Sequence, residues 1–219
     1  MKIQASYRMA LAAAAAVVAA PLAAQTATNH TIIDDWASVA VPPPPALQPA
    51  ALNPVHTALL VLDMNAETCT PARRPSCARS VPSVKRLLDA ARAHKVLVIY
   101  STGPGATPAT TRTPDGLAAL PGETTVRTGA DKFLGSDLDA QLKAHGIRTV
   151  IVTGTSAQGA VLYTASSAAL RQYDAVVPVD AYSGETQFSE LYTAWHLKNA
   201  PATISSHITL TRSDMVTFR

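Results

Sequence analysis

Four short aliphatic runs limit the folds open to this chain more than any other feature. They are TALLVLD (57–63), KVLVIYST (95–102), TVIVTG (149–154) and AVVPVDA (175–181). Uninterrupted apolar runs of this length are typical of strands that are covered on both faces. Stretches with helical patterning separate or follow them, at 80–94, 135–146, 159–172 and 189–199. Because strands and helices alternate, the sequence predicts an α/β fold with a mainly parallel sheet and helices on both faces.

The amino terminus has the order of residues found in secretory signal peptides. Lys2 and Arg8 supply a basic start, residues 10–20 are almost wholly alanine and valine, and small residues follow. We predict that residues 1–24 are a signal peptide, cleaved after Ala24, and that the mature protein is periplasmic or secreted. The apolar run has about 12 residues, whereas a membrane span needs about 20, so a permanent anchor is the weaker alternative.

The mature chain is expected to consist of a lead-in segment and one domain. Residues 25–54 contain VPPPPALQPAALNP, and proline donates no amide hydrogen bond, so an extended segment is predicted there. Residues 55–219 are long enough for one globular domain, in a chain that is 47% apolar and 15% charged. The formal net charge is +3, and two of the positive charges lie in the signal peptide, which argues against nucleic-acid binding.

Export changes the interpretation of the two cysteines. Cys69 and Cys77 lie in one polar, proline-containing segment, CTPARRPSC, which is predicted to be a loop. In an oxidising compartment a local disulfide is expected, with two free thiols as the alternative. No CxxC or HExxH spacing is present, and no metal or other cofactor is predicted.

The ends of the predicted strands indicate where a ligand would bind. In parallel α/β sheets, ligands gather outside the carboxyl ends of the strands. The residues at these ends are Asp63, residues 101–103, residues 155–159 and Asp180. Asp63 follows a strand that should be buried, which makes it a candidate general acid or base. The alternative is a structural aspartate that caps the next turn.

Several phrases of the sequence resemble the isochorismatase-like (cysteine hydrolase) superfamily. They are LLVLDMN (59–65), DKFLGSDLDAQLKAHGIRTVIVTG (131–154), GTSAQGAVLYTASSAAL (154–170) and VVPVDAYS (176–183). The resemblance covers about residues 55–218. It implies a three-layer α/β/α, Rossmann-like domain that acts on a small-molecule substrate and assembles as a homo-oligomer.

The resemblance also implies a set of site residues. The family's usual triad is an aspartate at the end of the first strand, a lysine before the middle helix, and a cysteine at the start of the helix after the VTG strand. Asp63 matches the aspartate, and Asn65 stands where the family has glutamine. Lys132 is the favoured match to the lysine, although spacing back from Phe133 reaches Arg127 instead. A solvated lysine without a catalytic role is the alternative for Lys132.

The family cysteine falls on Ala160, so the usual nucleophile is predicted to be missing. True isochorismatases resemble this chain in having a small residue there, and they hydrolyse a vinyl ether without a protein nucleophile. Gly159 and Ala160 would leave room for substrate at the helix amino terminus, and Tyr163 is predicted to line the pocket unless it packs in the core.

These resemblances lead to two functional hypotheses. In the first, the protein is a cysteine-independent hydrolase of a small anionic molecule, with Asp63, Lys132 and the Ala160 position at its centre, and with Asn65, Arg127, Gly159 and Tyr163 as substrate contacts. In the second, the protein is a catalytically inactive binding or scaffold protein on the same fold. Catalysis requires Asp63, a cation and the Ala160 backbone to converge at one concave pocket, whereas a filled pocket, or an Asp63 that is consumed by a structural partner, would favour the second hypothesis.

Overall fold

The structure, a computed structural model, describes residues 30–108, 111–201 and 203–219. The predicted signal peptide, residues 1–24, lies outside the described residues. The chain divides into two compact units, Met1–Val41 and Pro42–Arg219. In the described part of the first unit, α1 (Ile32–Asp35) is followed by a 3₁₀ turn (Trp36–Ser38). No helix among the described residues is long and apolar enough to cross a membrane.

The second unit is built on parallel strands joined by helical crossovers. Its strands are β1 (Ala50–Leu52), β2 (Thr57–Leu62), β3 (Leu97–Thr102), β4 (Thr124–Arg127), β5 (Thr149–Thr155), β6 (Asp174–Pro178), β7 (Tyr182–Ser183), β8 (Ile208–Thr211) and β9 (Val216–Phe218). Its helices are α2 (Pro75–Ala93), α3 (Leu138–Ala144), α4 (Leu162–Leu170), α5 (Gln187–Asn199) and α6 (Thr203–Ser206), and one π-helical turn (Ala157–Val161) precedes α4. The main sheet has the order β4-β3-β2-β5-β6-β8, and β7 pairs with the end of β5. All its pairings are parallel.

The core lies on both faces of this sheet, as the uninterrupted aliphatic runs predict. Along β2, Leu60 and Leu62 pack into the cluster on one face, and Leu59 and Val61 pack into the cluster on the other. Helix α2 covers the second cluster, whereas α3, α4 and α5 contribute to the first. The predicted fold class is therefore confirmed: helices flank a parallel sheet in three layers.

The proline-rich segment contributes one strand to the second unit. Ala50–Leu52 forms β1, which pairs in parallel with β9. The prolines at 42–45 and 49 all precede β1, so the amide groups of this strand remain available for hydrogen bonds. The last residues of the segment 25–54 are thus part of the folded unit.

The predicted loop around the cysteines also needs correction. Helix α2 begins at Pro75, five residues before the predicted start, so Cys77 lies in its first turn. Proline is favourable at the first position of a helix, where no amide donor is needed. The loop therefore ends at Arg74.

Candidate active site

Asp63 lies directly after β2, at the carboxyl edge of the sheet. Its backbone is left-handed, with φ 51°, a conformation that aspartate tolerates better than most residues. The neighbouring strand supports it, because Ser101 on β3 pairs with Leu62 and its Oγ donates to Asp63 Oδ1 at 2.8 Å. The Asp63 backbone N–H in turn donates to the Ser101 carbonyl at 3.2 Å. These contacts tie Asp63 to the end of β3.

Gly154 allows β5 to approach the strand that carries Asp63. It has φ 118°, and a Cβ added to it would lie 2.1 Å from the Leu62 carbonyl oxygen. Only glycine combines this backbone conformation with such a close approach. One residue further along, the Thr155–Ser156 peptide bond is cis, and both of its residues line the same edge of the sheet as Asp63.

Lys132 is the cation that the fold brings to Asp63. Its Nζ lies 2.7 Å from Asp63 Oδ2 and donates to the Gly129 carbonyl at 2.8 Å. The Lys132 side chain is only 1% exposed, whereas that of Asp63 is 27% exposed. The pair therefore has a buried side, formed by Lys132, and an open side, formed by Asp63.

Contacts with α4 hold the backbone around Lys132. The Lys132 N–H donates to Thr164 Oγ1 at 3.2 Å, and the Ser167 hydroxyl donates to Asp131 Oδ2 at 2.6 Å. Phe133 is buried against Tyr173. The neighbours of Lys132 thus anchor its loop to the helix that follows β5.

The open side of the pair faces a cavity of about 630 Å³, called here the Asp63 cavity. Its lining comes from the ends of β2, β3 and β5 and from two loops. The lining residues include 63–65, Arg74, 100–103, 105–106, 111–113, 118–119 and 155–156. Its volume is typical of a site for a small molecule.

Tyr100 forms part of the cavity wall as a neutral hydroxyl. Burial, followed by the nearby charge of Glu123, raises the pKa of Tyr100 to about 12. Its hydroxyl donates to the Leu117 carbonyl at 2.9 Å and accepts from Arg92. Arg92 also forms a bidentate pair with Glu123, at 2.8 Å for each contact. Tyr100 thus stays protonated near neutral pH and is not a candidate base.

The predicted substrate contacts differ in where they lie. Asn65 lines the Asp63 cavity, and its side-chain oxygen also accepts from the Glu67 N–H at 2.7 Å. Arg127 is exposed and donates to the Ala106 carbonyl at 2.9 Å, so it contacts a cavity loop and not Asp63. Of the two cations, the structure brings Lys132, and not Arg127, into contact with Asp63.

Gly159, Ala160 and Tyr163 lie outside the described lining of the cavity. Ala160 is buried in the core with Val126 and Phe133. A Cβ added to Gly159 would lie 2.6 Å from Ser156 Oγ, so Ser156 occupies the space beside Gly159. Tyr163 is 54% exposed, because it projects from the solvent side of α4 and neither lines the cavity nor packs in the core.

Sequence reasoning missed Arg74, a cavity-lining cation. Arg74 is the last residue before α2, and its Nη1 donates to Thr155 Oγ1 at 3.1 Å. The contact joins positions 81 residues apart, so local patterns do not indicate it. The nearby cysteines are the one signal that marks this loop, and they form the expected disulfide, with a Cα–Cα distance of 5.0 Å.

The Asp63 carboxylate can still accept hydrogen bonds from a ligand. Each Asp63 oxygen accepts a hydrogen bond from the chain, and each retains a second lone pair.

Among the described residues, no group of three or more histidine, cysteine, aspartate or glutamate side chains is arranged to hold a metal ion.

Comparison with solved structures finds the same fold. An isochorismatase family protein from Desulfovibrio vulgaris is 22% identical, with a TM-score of 0.66 over 73% of this chain and 95% of its own. N-carbamoylsarcosine amidase from Thermoplasma acidophilum is 22% identical, with a TM-score of 0.64 over 72% of this chain and 96% of its own. The nicotinamidase of Staphylococcus aureus is 18% identical, with a TM-score of 0.63 over 72% and 99%. No curated protein matches the chain significantly.

A family comparison identifies the family of the chain, whereas structures of such low identity show only its fold. The family described as "Isochorismatase domain" matches residues 57–209, from the start of β2 into β8. The match covers well over half of the chain and includes both Asp63 and Lys132. The protein therefore belongs to the isochorismatase-like family of hydrolases.

Proposed function

We propose that this protein hydrolyses a small molecule by acid–base chemistry that uses Asp63 and needs no cysteine nucleophile. The observation that supports this most directly is the Asp63–Lys132 contact of 2.7 Å, with Lys132 enclosed and Asp63 open to a cavity of about 630 Å³. An enclosed cation beside a carboxylate that a ligand can reach is an arrangement suited to proton transfer.

The cysteines of the chain argue against thioester chemistry. Cys69 and Cys77 are bonded to each other, and the resemblance puts the family's nucleophile at Ala160, whose methyl group cannot attack a carbonyl. Direct attack by water requires no protein nucleophile. A reaction in which Asp63 moves a proton and water attacks is therefore favoured.

Hydrolysis of a vinyl ether fits these groups. Asp63, after taking up a proton from solvent through the open cavity, would donate that proton to the terminal carbon of the double bond, whose electron pair forms the new C–H bond and leaves an oxocarbenium ion. Water adds to this ion and returns a proton to Asp63, and the resulting hemiketal collapses to a ketone and an alcohol. Lys132 and Ser101 would stabilise the Asp63 carboxylate between these two proton transfers, through the contacts of 2.7 and 2.8 Å.

A catalytically inactive binding protein is the second candidate. It is favoured by two observations: both Asp63 oxygens already accept hydrogen bonds from the chain, from Ser101 and from Lys132, and Ala160 lies outside the described lining of the Asp63 cavity. The open cavity argues against the simplest form of this alternative, in which the pocket is filled. Export and homo-oligomeric assembly remain predictions, and the disulfide is compatible with an oxidising compartment.

The test is a hydrolysis screen of the disulfide-bonded protein against vinyl ethers, amides and imides, with products measured by NMR. We expect turnover of a vinyl ether, and a loss of about 10²- to 10⁴-fold in Asp63→Asn. Asp89→Asn is the matched control, because Asp89 is an exposed carboxylate in a surface pair with Lys85. Full turnover in Asp63→Asn would contradict the role of Asp63, and the absence of any turnover would favour the binding protein.

A further inference from the structure

Lys132 is buried although the loop that carries it lies at the surface. Gly129 and Ala130 are exposed, whereas Lys132 is fully buried. Within this described stretch, residues 128–137 belong to no helix or strand, so no regular ladder of hydrogen bonds holds them. An ammonium group stays enclosed only while its partners stay in place. The position of Lys132 Nζ beside Asp63 therefore depends on groups outside the loop.

Thr164 on α4 supplies a hydroxyl that bonds the backbone of this loop. Its Oγ1 accepts from the Lys132 N–H at 3.2 Å and donates to the Ala130 carbonyl at 3.4 Å. A threonine hydroxyl in a helix can donate to the carbonyl four residues back, but that of Thr164 donates across to the loop. Because Thr164 is fully buried, water does not readily replace these contacts when the hydroxyl is removed.

A second hydroxyl of α4 holds the residue before Lys132. Ser167 follows Thr164 by three residues, a spacing that places both side chains on one side of a helix. Its hydroxyl donates to Asp131 Oδ2 at 2.6 Å, and Arg171 Nη1 donates to Ser167 Oγ at 2.7 Å. The two hydroxyls thus fix consecutive residues of the loop against one face of α4.

Thr164 is the contact through which α4 reaches Lys132 itself. The Lys132 carbonyl accepts from Ser136 Oγ at 2.5 Å, and Nζ donates to the Gly129 carbonyl at 2.8 Å, so both of these contacts lie within the loop. Of the two backbone groups of Lys132, only the N–H is bonded by a residue outside the loop. A shift of this backbone would move Nζ away from Asp63 Oδ2, which is 2.7 Å away.

We propose that Thr164 is a positioning residue for the reaction at Asp63: its hydroxyl fixes the Lys132 backbone and so keeps Nζ in contact with the carboxylate. The inference rests on the proposed function, because it concerns the same pair of side chains. Thr164 lies outside the described lining of the Asp63 cavity, so it acts through Lys132. A misplacement of about 1 Å can lower a rate by about 10²-fold, which is why one buried hydroxyl matters here.

The experiment compares Thr164→Val, which keeps the shape but removes the hydroxyl, with Thr164→Ser, which keeps the hydroxyl. The first readout needs no substrate: it is the NMR scalar coupling through the hydrogen bond from Lys132 Nζ to the Asp63 carboxylate carbon, assigned by its absence in Lys132→Met. We expect Thr164→Val to lose this coupling and Thr164→Ser to retain it. With the vinyl ether 2-methoxyacrylate, Thr164→Val should lower kcat by about ten- to hundredfold with little change in KM, and Thr164→Ser should recover it.

Thr164→Ala is a second variant without the hydroxyl, and circular dichroism checks that each variant is folded. It places no added methyl group against the Lys132 N–H and should lose the coupling as Thr164→Val does. Equal loss in Thr164→Ser would assign the effect to the threonine methyl group and overturn the role of the hydroxyl. Retention of the coupling in a folded Thr164→Val or Thr164→Ala would overturn it as well.

Thr193→Val is the matched control. Thr193 is a fully buried threonine of α5, and its hydroxyl donates to the Ser189 carbonyl of the same helix at 2.8 Å. This substitution also removes one buried hydroxyl, but the bond that it breaks lies within α5 and not at the Lys132 loop. It should leave both the coupling and kcat unchanged. Equal effects of Thr193→Val and Thr164→Val would mean general destabilisation and would overturn the proposal.

The two readouts separate this inference from the proposed function. Loss of the coupling in Thr164→Val, with no turnover of any vinyl ether by the wild type, would reject the hydrolase and retain the placement of Lys132 by Thr164. Turnover by the wild type that Thr164→Val leaves unchanged would retain the hydrolase and reject the positioning role.

Discussion

Removal of either member of the Asp63–Lys132 pair should destabilise the protein unequally, because the two side chains are unequally enclosed. The Lys132 side chain is 1% exposed and that of Asp63 is 27% exposed. Asp63→Asn leaves the Lys132 ammonium inside the protein without a counterion. Lys132→Met leaves a carboxylate that faces the cavity and keeps the hydrogen bond from Ser101 at 2.8 Å. The first substitution should therefore cost more free energy of unfolding than the second.

The expected magnitudes follow from this geometry. Breaking a buried pair by removing one partner costs about 3–5 kcal/mol. The asparagine side chain would retain an acceptor oxygen near Lys132 Nζ, so we expect the lower end, about 3 kcal/mol, for Asp63→Asn. For Lys132→Met we expect about 1–2 kcal/mol, since Asp63 remains hydrated and bonded to Ser101. The double variant leaves no uncompensated charge and should be about 2 kcal/mol more stable than the sum of the single effects implies.

The assay is urea unfolding at pH 7 under conditions that keep the disulfide, followed by far-ultraviolet circular dichroism. A double-mutant cycle on Lys85 and Asp89 is the control. Their charged atoms are 2.5 Å apart, but their side chains are 47% and 55% exposed. Its coupling should stay below about 1 kcal/mol. Additive effects for Asp63 and Lys132, or a larger cost for Lys132→Met than for Asp63→Asn, would refute the reasoning.

Two more predictions concern residues that support the cavity. Burial alone raises the pKa of Glu123, but the hydrogen bonds from Arg92 and from the Leu120 N–H outweigh it and lower the net pKa below its ordinary 4.5. The resulting stabilisation is complete above pH 4.5 and is lost as the pH falls through the lower native pKa. Glu123→Gln should therefore lower the free energy of unfolding by about 1–3 kcal/mol at pH 7 and by almost nothing in strong acid. Melting temperatures at several pH values would show this difference. Gly154→Ala should lower the melting temperature by about 10 °C or more, because the added Cβ would lie 2.1 Å from the Leu62 carbonyl oxygen. Gly105→Ala is the control and should change the melting temperature little, because a Cβ there meets nothing within 4 Å. A mild effect of Gly154→Ala would contradict the close approach of β5 to β2.

Burial on both faces explains which strands the sequence could predict. The four aliphatic runs became β2, β3, β5 and β6 with boundaries shifted by at most a few residues, because a strand covered on both faces must be apolar throughout. The strands at the two edges of the sheet carry a weaker signal. In β4, TTVR, only Val126 is buried, and β8, ITLT, alternates apolar and polar residues. Neither contains an uninterrupted apolar run, so neither was predicted.

The site divides in a similar way between local and long-range information. Asp63 could be found from the sequence, because the end of a buried strand is defined by the strand itself. The choice between Lys132 and Arg127 could not be made by counting, since the path of the loop depends on contacts with Thr164 and Ser167, more than 30 residues away. The exposed position of Tyr163 likewise depends on which side of α4 packs against the sheet.

The burial of Lys132 is what most distinguishes a reactive site from a structural cap at Asp63. A cap needs only hydrogen bonds from nearby N–H groups, whereas enclosing an ammonium group costs several kcal/mol that a methionine of similar volume would avoid. Asp63 also has a left-handed backbone, with φ 51°, and its carboxylate contacts the enclosed cation. Two unfavourable features at one point, beside an open cavity, have no advantage for stability. They would be useful if the cation held a carboxylate toward a ligand through successive proton transfers, and this is why we propose acid–base chemistry at the Asp63–Lys132 pair.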